Sequence, residues 1–212
     1  MTSPQKPVMI IPARGGSRRI PGKNIRDFHG RPIISYSIEH GLDRALFGAV
    51  YVSTDSDQIA EVSINAGAKV IVRPPELALD SVGTQEVTRH AIKHLGLEDT
   101  TVVCCMYATS PLTQREDLYW GLTLEWARPS VFVVAVGIDP LRDAGQWYIG
   151  SAHAFTQDYP LYGVRSSVYD VGPWRCCDIN TEADWQRAEI LYAAHRDGLR
   201  VIGHFHMGDK GP

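Results

Sequence analysis

Between residues 7 and 136 the chain alternates short apolar runs with stretches whose apolar residues recur every three or four positions. Few folds accept that rhythm. Residues 7–12, with Val8-Met9-Ile10-Ile11 at their centre, read as a strand buried on both faces of a parallel sheet. Behind Pro32, the residues Ile34, Ile38, Leu42 and Ala45 recur at helical spacing. Ala49-Val50-Tyr51-Val52 predicts a second strand. Ser56 then caps a helix carrying Ile59, Val62 and Ala66, and Gly67 stops it. Residues 69–72 predict a third strand, and Thr84 caps a helix with the stripe Val87, Ala91 and Leu95. Strand 101–106, helix 115–126 and strand 131–136 complete the series. The pattern predicts an α/β fold, a doubly wound and mostly parallel sheet covered on both faces. Such sheets take ligands beyond the carboxyl ends of their strands, which points to loops 12–31, 53–57, 73–84 and 107–115.

From about residue 137 the segments shorten and Gly, Pro, Asp and aromatic residues become denser, which predicts a β-rich excursion over 137–177. Regular structure returns at Thr181-Glu182-Ala183-Asp184, a capping box opening a helix lined by Trp185, Ala188, Leu191, Tyr192 and His195. A last strand is expected at 200–205. With no linker or repeat in view, residues 1–212 read as one domain. The net charge of −3 provides no field for nucleic acid or an anionic membrane, and no apolar run reaches spanning length. The N-terminus lacks a signal-peptide core, so a cytoplasmic protein is expected. Cys104-Cys105 and Cys176-Cys177 are adjacent pairs; neighbours on a strand face opposite ways, so both pairs read as reduced strand residues.

The chemistry concentrates just past the first strand, in Pro12-Ala13-Arg14-Gly15-Gly16-Ser17-Arg18-Arg19-Ile20-Pro21-Gly22-Lys23-Asn24. Residues 14–31 hold six Lys or Arg against one acid, Asp27, a way to hold a polyanion. Gly15 and Gly16 let the backbone come close and turn N–H groups toward an anion, while Arg14 and Lys23 neutralise phosphate oxygens. The loop is not a Walker A motif, since five residues separate Gly16 from Gly22 and Asn24 follows Lys23. Nor is it the dinucleotide fingerprint, because G-x-G-x-x-G is absent. A basic run alone would read as a solvated surface loop. Two glycines, two cations and an Asn directly after a buried strand favour the anion grip.

Ile10-Ile11-Pro12-Ala13-Arg14-Gly15-Gly16-Ser17, with Ile20-Pro21-Gly22-Lys23-Asn24-Ile25, resembles the signature of the acylneuraminate cytidylyltransferases. The similarity continues, in the family's order, through Val52-Ser53-Thr54-Asp55, Arg73-Pro74-Pro75-Glu76-Leu77-Ala78, Thr109-Ser110-Pro111-Leu112 and Asp178-Ile179-Asn180-Thr181-Glu182. Tyr107 and Asp143-Ala144-Gly145-Gln146-Trp147-Tyr148 most resemble the pseudaminic acid branch. The resemblance implies a Rossmann-like, glycosyltransferase-A-like nucleotidyltransferase that moves CMP from CTP to a nine-carbon α-keto sugar acid and releases pyrophosphate. The products of such enzymes feed surface glycans or flagellin glycosylation.

Carried across by position, the resemblance implies that Arg14 and Lys23 hold the triphosphate and that Asn24, the third catalytic candidate, hydrogen-bonds near the α-phosphate or the ribose. Main chain at Pro12-Ala13, with Arg73 and Thr84, would read the base, and Gly15, Gly16 and Ser17 would line the phosphates. Tyr107, Arg142, Asp143 and Gln146 would meet the sugar. Asp178 and Asn180 would hold Mg²⁺, since residues i and i+2 of an extended segment share a side; an Asx turn ahead of Thr181 is the plainer account of the same residues. Asn180 stands where the family usually has Asp, which removes one charge from that corner. Asp55 is a weaker site candidate that serves equally as a helix cap.

The match departs from the family between Val136 and Asp143, where relatives carry an extended arm that helps pair subunits and offers a cation to the sugar carboxylate. Here only Gly137-Ile138-Asp139-Pro140-Leu141-Arg142 fills the gap, and Arg142, Arg165 or Arg175 would have to supply that cation. CTP and a sugar acid are the expected ligands, and a homodimer the expected assembly. Alternatives are the same transfer to N-acetylneuraminic, legionaminic or ketodeoxyoctonate-type acid, or a nucleotide-binding homologue without turnover. An RNA-binding module is disfavoured because the cations sit in one glycine loop.

Overall fold

The computed structural model describes residues 6–127, 132–138, 141–157, 159–164 and 166–197. The strand expected at 200–205 and the carboxylate candidate Arg165 lie outside them. The order is β1 (Val8–Pro12), β2 (Asp27–Phe28), β3 (Arg31–Pro32), α1 (Ile34–Gly41), β4 (Ala49–Thr54), α2 (Asp57–Asn65), β5 (Lys69–Val72), α3 (Thr84–Leu95), β6 (Val102–Met106) and α4 (Arg115–Ala127). After these come β7 (Val133–Ile138), β8 (Leu141–Ser151), α5 (Ala152–Thr156), β9 (Ser167–Asp170) and α6 (Glu182–Arg196). Seven strands form one sheet in the order β5-β4-β1-β6-β8-β7-β9. β5, β4, β1 and β6 run parallel, β8 is antiparallel to both of its neighbours, and β9 lies parallel to β7.

β1 sits inside the sheet because both of its faces are apolar. Met9 and Ile11 pack with Ile34 and Ile38 of α1, Ile59 of α2 and Leu118 and Leu122 of α4. Val8 and Ile10 face the opposite way, toward Ala91 and Ile92 of α3 and Phe155 of α5. Cys104 and Cys105 divide between the same two faces, buried and unbridged. Burial lifts the Cys105 thiol to about 12, so both behave as small apolar residues.

Several local expectations change. α1 ends at Gly41, leaving Leu42 and Ala45 exposed, while Leu46 and Phe47 fill the core beneath the turn. Ser56 does cap α2, accepting from the Ile59 amide. Thr84 is not the cap of α3. Gly83 holds that position, and its amide donates to the Glu86 carboxylate at 3.1 Å. Cys176 and Cys177 lie in irregular chain rather than on a strand.

Within the excursion expected over 137–177, Leu141–Ser151 and Ser167–Asp170 join the sheet, with the short helix α5 between them. β8 forms a hairpin with β7 and inserts between β7 and β6, burying Ala144 to Gly150. A third apolar cluster stands apart from the two sheet faces. Ile20, Phe28, Ile33, Tyr36 and Leu112 surround Ile179, Trp185 and Ala188, which pins α6 to the loop after β1. Among the described residues no helix is long and apolar enough to cross a membrane.

Candidate active site

The loops at the carboxyl ends of β1, β5 and β6 enclose a cleft of about 430 Å³. Pro12, Arg14, Ser17, Lys23 and Asn24 line it from the first loop, and Arg73 and Thr84 from the connection between β5 and α3. Tyr107 follows β6, and Asn180 precedes α6. Residues that the sequence scatters over more than 150 positions therefore share one concave surface.

The first loop is held by its own chain. Gly22 has φ 62, the left-handed region that glycine enters without strain, and it starts a 3-10 turn over Lys23–Ile25. The Asn24 side-chain amide donates to the Arg14 carbonyl at 2.9 Å, closing the loop on itself. Asp55 accepts from the Gly15 amide at 3.0 Å, and the Ala13 amide donates to the Ser53 carbonyl at 2.9 Å. These two N–H groups are thus committed inside the protein, and Ala13, Gly15 and Gly16 do not line the cleft. Asp55 anchors the glycine loop, and Ser56 is the helix cap.

The six cations divide by role. Arg14, Arg18, Arg19 and Lys23 line the cleft. Arg26 instead lies 4.4 Å over the Trp185 ring and pairs with Glu182, and Arg31 lies 3.8 Å over Tyr36 and pairs with Glu39. Those two hold the third apolar cluster rather than a polyanion. Burial lowers the Lys23 pKa, opposed by the Asp178 charge, while Arg19 and Arg14 lower it further. An ammonium in that position gains from an incoming anion.

Arg73 is the most deeply buried of the cleft cations, 5% exposed. Its guanidinium donates to the Ser53 carbonyl at 2.8 Å, but its Nε is buried with no hydrogen-bond partner. Burial lowers its pKa and Asp55 only partly offsets that. Beside it the Tyr107 hydroxyl lies 3.1 Å from the Thr84 hydroxyl, so Thr84 faces the cleft as a polar group and not as a cap.

Asp178 and Asn180 do share a side, as the i, i+2 spacing requires, but the Asn180 amide nitrogen donates to Asp178 while its carbonyl accepts from Arg19 at 2.7 Å. Lys23 donates to the intervening Ile179 carbonyl at 2.6 Å. Burial raises the Asp178 pKa, and Asn180 and Lys23 pull it back. Gly145, at φ 61, presses on this carboxylate; a Cβ there would lie 2.5 Å from the Asp178 carboxyl carbon. Among the described residues no three His, Cys, Asp or Glu side chains form a metal-holding group.

The residues expected to meet the sugar separate. Tyr107 lines the cleft, whereas Arg142, Asp143 and Gln146 do not. Gln146 is 1% exposed, its amide donating to the Arg175 carbonyl and accepting from Thr113. The amide keeps spare donor and acceptor capacity, but its burial leaves a ligand no access to it. The Arg142 Nε sits 3.4 Å from the Cys176 sulfur, and Arg175 is paired with Asp117. Asp143 accepts from the Gly145 amide at 2.8 Å and from the Tyr148 hydroxyl, and its charge reaches Asp178. Sequence reasoning missed Asp80, which pairs with both Arg14 and Arg18. Asp80 has no local signal, since it lies 66 positions from Arg14.

Residues 8–120 match the family model described as Cytidylyltransferase. The pseudaminic acid cytidylyltransferase of Campylobacter jejuni is 32% identical to the chain, over 91% of this chain and 98% of that protein. The N-acylneuraminate cytidylyltransferase A of Danio rerio is 29% identical, over 85% of this chain and 49% of its own length. Among solved structures, the CMP:2-keto-3-deoxy-manno-octonic acid synthetase complexed with CTP superposes with a TM-score of 0.72 at 17% identity, over 90% of this chain and all of the other.

Proposed function

The chain belongs to the cytidylyltransferase family, and from that premise we propose that it moves the cytidylyl group of CTP to the anomeric hydroxyl of a nine-carbon α-keto sugar acid. Pseudaminic acid is the acceptor that the Campylobacter relative's name supports. The observation that carries the reading is the convergence of Arg14, Lys23, Arg73, Thr84 and Tyr107 on one cleft at the carboxyl ends of the strands.

In this reaction the hydroxyl oxygen bonds to the α-phosphorus, the bond to the bridging oxygen breaks to release pyrophosphate, and the hydroxyl proton passes to solvent. The protein's contribution is position and charge, with no covalent intermediate. Arg14 and Lys23 neutralise phosphate oxygens. Arg73, which lines the cleft together with Thr84 and Tyr107, donates to the nucleoside through its guanidinium. Lys23 also anchors the loop to Ile179, which keeps it between the phosphates and Asp178.

The Asp178 corner suits Mg²⁺, which needs one or two carboxylates and fills its remaining positions with water and phosphate oxygens. Gly145 leaves that carboxylate the room a larger residue would take. Mg²⁺ there would neutralise phosphate charge. Asp178 would be its protein ligand, and the Asn180 carbonyl, held by Arg19, would join only if the amide turned. We further propose one domain over residues 1–212, action in the cytoplasm where CTP is made, and pairing as a homodimer. The test is pyrophosphate release from CTP and Mg²⁺ with pseudaminic, N-acetylneuraminic, legionaminic and ketodeoxyoctonic acids in parallel. Release with pseudaminic acid above the others supports the assignment. CTP binding without release from any acceptor would instead favour a nucleotide-binding homologue.

A further inference from the structure

On the connection between β5 and α3, Asp80 points into the cleft and uses both carboxylate oxygens on arginines. One oxygen accepts from an Arg14 Nη, and the other from the Arg18 Nε at 2.8 Å. Arg18 is otherwise open to solvent, its side chain 84% exposed, so Asp80 is what orders it over the cleft. A carboxylate and a phosphate present the same fork of oxygens to a guanidinium. Asp80 therefore sits where a polyphosphate would bind.

We propose that Asp80 is a built-in competitor for the ligand's outer phosphates: it holds Arg14 and Arg18 until a polyphosphate displaces it, and a monophosphate leaves it in place. The inference rests on the reading that the cleft takes CTP. Both anions cannot share two arginines without bringing like charges together. Hydrogen bonding and charge from Arg14, then the charge of Arg18, hold the Asp80 carboxyl below its usual range, so it stays ionised wherever the enzyme works. A triphosphate brings several oxygens and displaces one carboxylate. A phosphate bound only through its ester to the nucleoside reaches less far and leaves the pair intact. When transfer is complete, the nucleotide product keeps a single phosphodiester. Asp80 then returns to Arg14 and Arg18 and opposes rebinding of pyrophosphate.

The experiment compares the protein with Asp80→Asn and Asp80→Ala by calorimetric titration of CTP, CMP, cytidine and pyrophosphate at fixed salt. Removing a half-exposed competitor for two arginines should tighten CTP and pyrophosphate by about three- to tenfold in both variants. CMP and cytidine should stay within about twofold, since they leave the ion pair alone. Pyrophosphate should become a correspondingly stronger product inhibitor. Weaker CTP binding in both variants would make Asp80 a support for Arg14 and overturn the proposal. Equal tightening of CMP and CTP would reduce it to a general charge effect and also overturn it. CTP affinity unchanged by either substitution refutes the role of Asp80 alone. No CTP affinity in the unsubstituted protein refutes the reading beneath it.

Discussion

The Lys23 ammonium donates to the Ile179 carbonyl at 2.6 Å, joining the loop after β1 to the segment before α6 across 156 positions of sequence. The contact puts a partly buried cation beside Asp178 and between the two halves of the proposed site.

Lys23 should therefore set an alkaline limit on turnover. Burial lowers its pKa from 10.5, so the active, charged form is lost as pH rises through a value below that of a free lysine. Bound CTP moves the limit up again. In a pH–rate profile, Lys23→Arg should lose this alkaline limb while keeping measurable activity, and Lys23→Ala should lose about 10²- to 10³-fold in kcat/KM. An alkaline limb unmoved in Lys23→Arg would assign the titration to another group.

Asn180→Asp replaces the amide that donates to Asp178 with a second carboxylate. Without added Mg²⁺ the variant should lose about 1 kcal/mol of stability, from one lost hydrogen bond and two facing charges. With Mg²⁺ it should recover and exceed the parent, read as a metal-dependent rise in Tm. A Tm that ignores Mg²⁺ in both proteins would leave Asn180 as turn structure.

The parts of this site that could be read from the sequence are those in which one segment carries both the structure and the chemistry. The run 8–12, the glycines and cations directly after it, and the Thr181 to Asp184 box are contiguous, so their local physics is visible in order. β8 was hidden because Gly145 and Gln146 interrupt its apolar run, and its burial comes from insertion between β6 and β7. Arg26 and Arg31 are indistinguishable by composition from the cleft cations; only Trp185 and Tyr36, brought up by folding, reveal their structural work. Gln146 fits a sugar contact by motif, yet Thr113 and the Arg175 carbonyl occupy it.

Gly145→Ala should damage the Asp178 corner selectively. Its φ of 61 disfavours a side chain, and the new Cβ would meet the Asp178 carboxyl carbon at 2.5 Å. The expected cost is about 1–3 kcal/mol in denaturant unfolding, with a larger relative loss of Mg²⁺ response than of CTP affinity. Equal loss of both would mean a general collapse of the cleft.

Arg73→Met should separate stability from binding. The substitution removes a buried cation whose Nε has no partner, so unfolding free energy should change by less than about 1 kcal/mol. CTP affinity should fall on the order of tenfold or more, and cytidine affinity with it, if Arg73 serves the nucleoside as proposed. Cytidine binding that survives intact would move Arg73 out of the base site.

The central claim is that the loop after β1 grips a nucleoside triphosphate in this cleft. Its most direct measurement is a calorimetric titration of CTP in Mg²⁺ into the protein and into Arg14→Ala, with thermal unfolding of each recorded alongside. The account predicts saturable CTP binding to the protein, at least tenfold weaker binding to the variant as expected for a lost charge-assisted contact, and unfolding temperatures that agree. Equal CTP affinity in both proteins, or none in either, would contradict it.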